Sequence, residues 1–207
     1  MALSQALPSS DSGNRRELAF EALVIGCSAG GFDALRIVLG TLPADLDIAV
    51  IIVAHTSPES DNLLPNVLSK FCQLPVSEAR EREMVEPRHI YIAPPNYHLL
   101  VEPDRSFALS VDERVCFVRP SIDVLFVSAA DVYRNHLIGV ILTGANNDGA
   151  EGLKAIKNAG GFTLVQDPRE AYADAMPKAA VEIGAAERVL SLTQLPRDIL
   201  RLCKYQN

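Results

Sequence analysis

The chain is 207 residues long, 48% apolar and 22% charged, without tryptophan, and carries a formal net charge of −7. That is enough chain for one α/β domain with a sizeable core and too little for two, and the acidic balance excludes a general nucleic-acid binder, which would present a basic stripe. Cys27, Cys72, Cys116 and Cys203 stand far apart, with no C-x-x-C pair and no histidine at zinc-finger spacing, so they read as buried free thiols of a reducing compartment, and neither a metal nor a cofactor is expected.

Residues 1–19 are polar and lack the basic start and apolar core of a secretory signal, so they read as a disordered tail ahead of a domain spanning 20–207. The longest apolar runs, Ile48 to Ala54 and Leu137 to Leu142, are far below membrane-spanning length, so a cytoplasmic protein without membrane insertion is expected.

The first element is the run Leu23 to Cys27, followed by Ser28-Ala29-Gly30-Gly31 and a helical pattern from Phe32 to Leu42: strand, turn, helix. Gly26-x-Ser28-x-Gly30 has the form of a nucleophile elbow, in which a sharp turn exposes the serine hydroxyl at the carboxyl edge of a sheet. The amides opening the following helix aim partial positive charge at the same spot and could receive an oxyanion. Two other readings compete: a phosphate-binding turn, of which Gly26-xxx-Gly30-Gly31 is an imperfect version, and a serine that only caps the helix.

Ile48 to Ala54 is an uninterrupted apolar run with β-branched bias, the pattern of a parallel strand buried on both faces, and it ends in His55. A dinucleotide-binding fold would place an acidic residue there, so the nucleotide reading loses ground. Asp61 to Cys72 reads as a helix, Glu78 to Glu86 as a surface loop, His89 to Ala93 as a strand stopped by Pro94-Pro95, and His98 to Glu102 with Ser106 to Val111 as an antiparallel hairpin. His89 and His98 read as packing or surface residues and His136 as solvated.

Arg119-Pro120-Ser121 opens a helix running to about Tyr133, with proline in its first turn. Leu137 to Leu142 is another buried strand, followed by Thr143 to Gly149. Asp148 and Glu151 match a capping box for a helix Ala150 to Ala159, a structural role that competes with a chemical one. Strand Phe162 to Val165, helix Asp174 to Ile183, strand Arg188 to Leu192 and helix Leu195 to Cys203 continue the alternation. The expected fold is α/β: a doubly wound, mostly parallel sheet with helices on both faces, plus one antiparallel hairpin.

In such sheets ligands bind outside the carboxyl ends of the strands. Ser28, His55 and Asp148 each follow a strand there, and a hydroxyl, a base and an orienting acid form the minimal set for covalent acyl transfer. Their chain order, Ser, His, Asp, differs from the Ser, Asp/Glu, His order of α/β-hydrolases.

Gly26-Cys27-Ser28-Ala29-Gly30-Gly31, the strand ending in His55, Tyr91-Ile92-Ala93-Pro94, Arg119-Pro120-Ser121-Ile122-Asp123-Val124-Leu125-Phe126, and Val140-Ile141-Leu142-Thr143-Gly144 with Asn147-Asp148-Gly149 resemble the catalytic domain of CheB-type chemotaxis protein-glutamate methylesterases, in order from about Leu23 to Leu200. The resemblance implies hydrolysis of glutamate methyl esters on the cytoplasmic helices of methyl-accepting chemotaxis receptors, and deamidation of receptor glutamines in many members, without a cofactor. It lays Ser28, His55 and Asp148 on the family's triad and implies oxyanion contacts from the backbone near Ala29 and Ala145. The chain departs where members often carry threonine after the nucleophile and Met-Gly at Ala145-Asn146. The family's usual N-terminal receiver domain has no counterpart before Leu23, so control by receiver phosphorylation within the chain is not expected. The changes at Ala29 and Ala145-Asn146 keep open a catalytically silent interaction module with the same fold. Arg119 is a candidate for attracting glutamate-rich receptor helices.

Overall fold

The computed structural model describes residues 20–55 and 63–204. The expected tail at 1–19 and the start of the helix expected from Asp61 lie outside these. Seven strands form one sheet: β1 (Ala22–Cys27), β2 (Ala49–Ala54), β3 (Val76–Glu78), β4 (Ile90–Ile92), β7 (Leu137–Ile141), β8 (Phe162–Gln166) and β9 (Arg188–Leu190), in the order β3-β4-β2-β1-β7-β8-β9. Every neighbouring pair in it is parallel. β5 (His98–Val101) and β6 (Phe107–Ser110) pair antiparallel as a separate hairpin.

β1 occupies the middle, and its six residues are all buried. Alternation along a strand then sends side chains to two different layers. Leu23, Ile25 and Cys27 pack with residues of α1 (Gly31–Leu39) and α6 (Leu195–Lys204), while Ala22 and Val24 join the cluster of α3 (Ile122–Tyr133), α4 (Ala150–Asn158), α5 (Ala175–Glu182) and the hairpin. Both faces of the sheet are therefore covered, which is why its strands are apolar throughout rather than alternating.

The chain leaves β1 through α1 to β2 on one side, and later returns through α3 to β7 on the other. The strand order thus reverses at β1, and a crevice opens at the carboxyl ends beside it.

Three elements differ from expectation. Among the described residues of the helix expected over Asp61 to Cys72, the regular part is α2, Leu64–Leu68, with Pro65 at its start and turns from Ser69 onward. β3 lies partly where a surface loop was expected; three half-buried residues are too few to show a periodicity. α3 begins at Ile122 with Ser121 as its N-cap, so Pro120 precedes the helix instead of occupying its first turn. Among the described residues no helix is long and apolar enough to cross a membrane.

Candidate active site

The register of the three central strands assembles the site. Cys27 pairs with Ala54 and Gly26 with Ile141. The ladder runs one residue further on each side: the His55 N–H donates to the Cys27 carbonyl at 3.0 Å, and the Ser28 N–H donates to the Thr143 carbonyl at 2.9 Å. Ser28 is thereby held between the ends of β2 and β7, and it shares with His55 a cavity of about 200 Å³ that Gly30, Phe32 and Leu64 also line. A larger groove between α1 and α6 contains none of the candidate residues.

Asp148 is fully buried at 0% exposure. Its Oδ2 accepts from His55 Nε2–H at 2.9 Å and from the Ile122 N–H at 2.7 Å. Its Oδ1 accepts from the Ser121 hydroxyl at 2.7 Å and from the Asp123 N–H at 3.2 Å. Burial alone would raise its pKa, but the hydrogen bonds from His55, Ile122, Ser121 and Asp123 outweigh it and hold the carboxyl below its ordinary value. Asp148 does not cap the helix that follows it. Gly149 at φ 95° is the N-cap of α4 and makes no side-chain cap bond, because the Asp148 carboxylate is turned to the first amides of α3, whose dipole favours an anion.

His55 is 8% exposed in its side chain. A carboxylate only accepts, so in the neutral ring the proton sits on Nε2 and the lone pair on Nδ1. That Nδ1 is buried and has no hydrogen-bond partner among the described residues. The ring is fixed in one tautomer with its basic nitrogen uncommitted.

The serine turn is braced from several sides. The Gly31 N–H donates to the Ser28 carbonyl at 2.7 Å, and Thr143 Oγ1 donates to the Ala29 carbonyl at 2.8 Å. Gly30 takes φ +77°, and a Cβ there would lie 2.6 Å from the Tyr172 Cβ, so both its backbone and its surroundings call for glycine. α1 has Gly30 as N-cap with no side-chain cap bond, so Ser28 does not cap that helix. The Ala29 and Ala145 N–H groups donate to no acceptor among the described residues.

Arg119 is engaged locally: its Nη1 donates to the Val111 and Asp112 carbonyls. Cys27 is buried, and desolvation pushes its thiol up to about 12, far from a nucleophilic thiolate. Cys116 Sγ lies within 4.8 Å of carboxylate oxygens of Asp123 and Asp148. The four donors on Asp148 occupy about all the lone-pair sites a carboxylate has, leaving none for a cation there.

Sequence reasoning passed over four contributors. Ser121 was read only as part of a helix start. His98 was read as a packing or surface residue; it is 1% exposed, donates from Nε2 to the Glu113 carbonyl and accepts the Ser121 N–H on Nδ1. Gln166 accepts the Thr143 N–H at 2.9 Å, and Tyr172 covers Gly30. Gln166 is the last residue of β8, and its burial, which calls for a hydrogen-bond partner, follows only from the packing around it.

Comparison with known proteins gives the family. The family model described as CheB methylesterase matches residues 23–199. A protein of Leptospira interrogans is 49% identical over 183 residues, covering 88% of this chain and 95% of its own. One of Symbiobacterium thermophilum, named protein-glutamate methylesterase/protein-glutamine glutaminase, is 37% identical over 196 residues; those are 92% of this chain and 54% of that protein. The crystal structure of the Thermotoga maritima CheB methylesterase catalytic domain superposes with a TM-score of 0.85 at 32% identity, covering 89% of this chain and 99% of that one. The chain belongs to the CheB methylesterase family.

Proposed function

We propose that the chain hydrolyses γ-methyl esters of glutamate side chains on the cytoplasmic helices of methyl-accepting chemotaxis receptors, and deamidates receptor glutamines by the same steps, with Ser28 as nucleophile, His55 as general base and Asp148 as orienting acid. The observation that carries this is the His55 ring: Nε2 is bound to Asp148, and Nδ1 is left without a partner beside the cavity shared with Ser28.

In acylation the Ser28 Oγ attacks the ester carbonyl carbon while Nδ1 takes the hydroxyl proton. The carbonyl oxygen becomes an oxyanion, which the Ala29 and Ala145 amides are free to bind. Collapse breaks the bond to the methoxy group; the imidazolium gives its proton to that group, and methanol leaves. The glutamyl ester on Ser28 is then opened by water, deprotonated by the same nitrogen, regenerating the serine and releasing glutamate. With a glutamine substrate the leaving group is ammonia. Asp148 remains ionised throughout and stabilises the imidazolium, as its lowered pKa favours.

The test is methanol release from methylated receptor membranes. Wild type is expected to release it, and Ser28→Ala to lose about 10⁶-fold, the scale seen when such units are dissected. Retained release in Ser28→Ala overturns the role of Ser28. No release from wild type overturns the esterase and leaves the silent module.

A further inference from the structure

Two aromatic residues are largely exposed in segments that adjoin the proposed relay. Phe117 is 94% exposed and Tyr172 84%. Phe117 is the residue after Cys116, whose Sγ lies within 4.8 Å of a carboxylate oxygen of Asp148. Tyr172 covers Gly30, two residues from Ser28, so closely that its Cβ would be 2.6 Å from a Cβ placed there.

The backbone that carries each of them is anchored. Val115 and Val118 form an antiparallel bridge closed by the Val118 N–H on the Val115 carbonyl at 2.9 Å. The two residues between them, Cys116 at φ 49° and Phe117 at φ 65°, sit in the left-handed region that glycine and asparagine favour in such turns. A conformation uphill for these residue types persists because its surroundings determine it. The loop is anchored by Arg119 on the Val111 and Asp112 carbonyls and by His98 on the Glu113 carbonyl. On the other flank, Ala173 donates its N–H to Thr143 Oγ1 at 2.8 Å and accepts the Gly144 N–H at 2.9 Å. The segment bearing Tyr172 is thereby tied to the Thr143 to Asp148 loop.

We infer that Phe117 and Tyr172 are docking residues for the polypeptide that carries the esterified glutamate, each receiving an apolar side chain of that segment. The inference rests on the esterase reading. A glutamyl carbonyl is only a few bonds from its own main chain, so a substrate whose ester reaches Ser28 lays its backbone over the surface near Gly30, which Tyr172 covers, and near the Cys116-Phe117 turn. Aromatic side chains present a large contact area with few rotatable bonds, which is why they dominate binding at interfaces.

The experiment measures methanol release from a methylated receptor cytoplasmic fragment by wild type, Phe117→Ala, Tyr172→Ala and the double variant, with Phe117→Leu and Tyr172→Phe as conservative controls. Each alanine variant is expected to lower kcat/KM roughly tenfold, the scale of a truncated interface aromatic, with the loss in KM and with partial return in the controls. Both positions are exposed, so thermal melting is expected to match wild type. A kcat/KM within twofold of wild type in the double variant, or a loss carried by kcat alone, overturns the inference. If wild type itself releases no methanol, the esterase reading fails and takes the inference with it; if wild type turns over and the double variant matches it, the inference alone fails.

Discussion

The Ser121 hydroxyl and the Asp148 carboxylate meet at 2.7 Å across 27 residues of sequence, both of them fully buried. Ser121 is also the N-cap of α3, its Oγ accepting the Val124 N–H at 3.4 Å. One residue thus starts a helix and holds the acid that orients His55.

Ser121→Ala removes both bonds. The cap is worth about 1 kcal/mol, and a buried carboxylate oxygen short of a donor costs about 1–3 kcal/mol more. A fall in unfolding free energy together with a lower kcat is expected, and Ser121→Thr, which keeps the hydroxyl, should recover most of both. Denaturant titration and methanol release measure them; a loss of stability with wild-type kcat would limit Ser121 to the cap.

Asp148→Asn leaves one acceptor oxygen for the four donors that now converge on the carboxylate. The new amide N–H can donate to Nε2, which moves the ring proton to Nδ1, the atom proposed to accept from Ser28. Loss of about 10⁴-fold in kcat is expected from the wrong tautomer, with α3 destabilised as well. Steady-state kinetics and thermal melting check the two effects, and kcat within tenfold of wild type would refute the tautomer argument.

Gly30→Ala meets two obstacles, a backbone at φ +77° and the Tyr172 side chain at 2.6 Å. The left-handed conformation alone costs about 1–2 kcal/mol with a Cβ present, and relief by shifting the turn moves Ser28. Lower unfolding free energy and lower kcat/KM are expected; an unchanged melting temperature would show that the turn adapts.

Asp123 gives a pH-dependent term. Burial first, and the charge of Asp148 next to it, raise its pKa from 3.8 to about 6, although the Gly152 N–H donates to it at 2.6 Å. A carboxyl whose folded pKa lies above the unfolded one contributes stability that is present below the unfolded value and lost as pH rises through the folded one. Asp123→Asn keeps an acceptor for Gly152 and removes the titration. The melting temperature of the variant is therefore expected to gain on wild type as pH rises from about 4 to about 7, and parallel curves would exclude this assignment.

The residue order alone carried the fold class and singled out the three residues that the proposal uses. A parallel strand buried on both faces has no solvent side, so β1, β2 and β7 read as unbroken apolar runs, and Ser28 and His55 directly after the first two, with Asp148 in the loop after the third, mark the carboxyl edge of the sheet. The glycines around Ser28 were legible because a sharp turn leaves no room for side chains. What the chain order could not show was anything depending on which distant groups come to share a buried space. The Asp148 to Glu151 spacing is a local pattern equally suited to a cap, and only the packing of α3 against the end of β7 turns that carboxylate toward Ile122 and Ser121 and toward His55, 93 residues away. Likewise β3, the placement of the hairpin, and the route from His98 through Ser121 to Asp148 follow from tertiary contacts, because a buried polar group takes its partner from whatever packs against it, and no sequence interval encodes that neighbour.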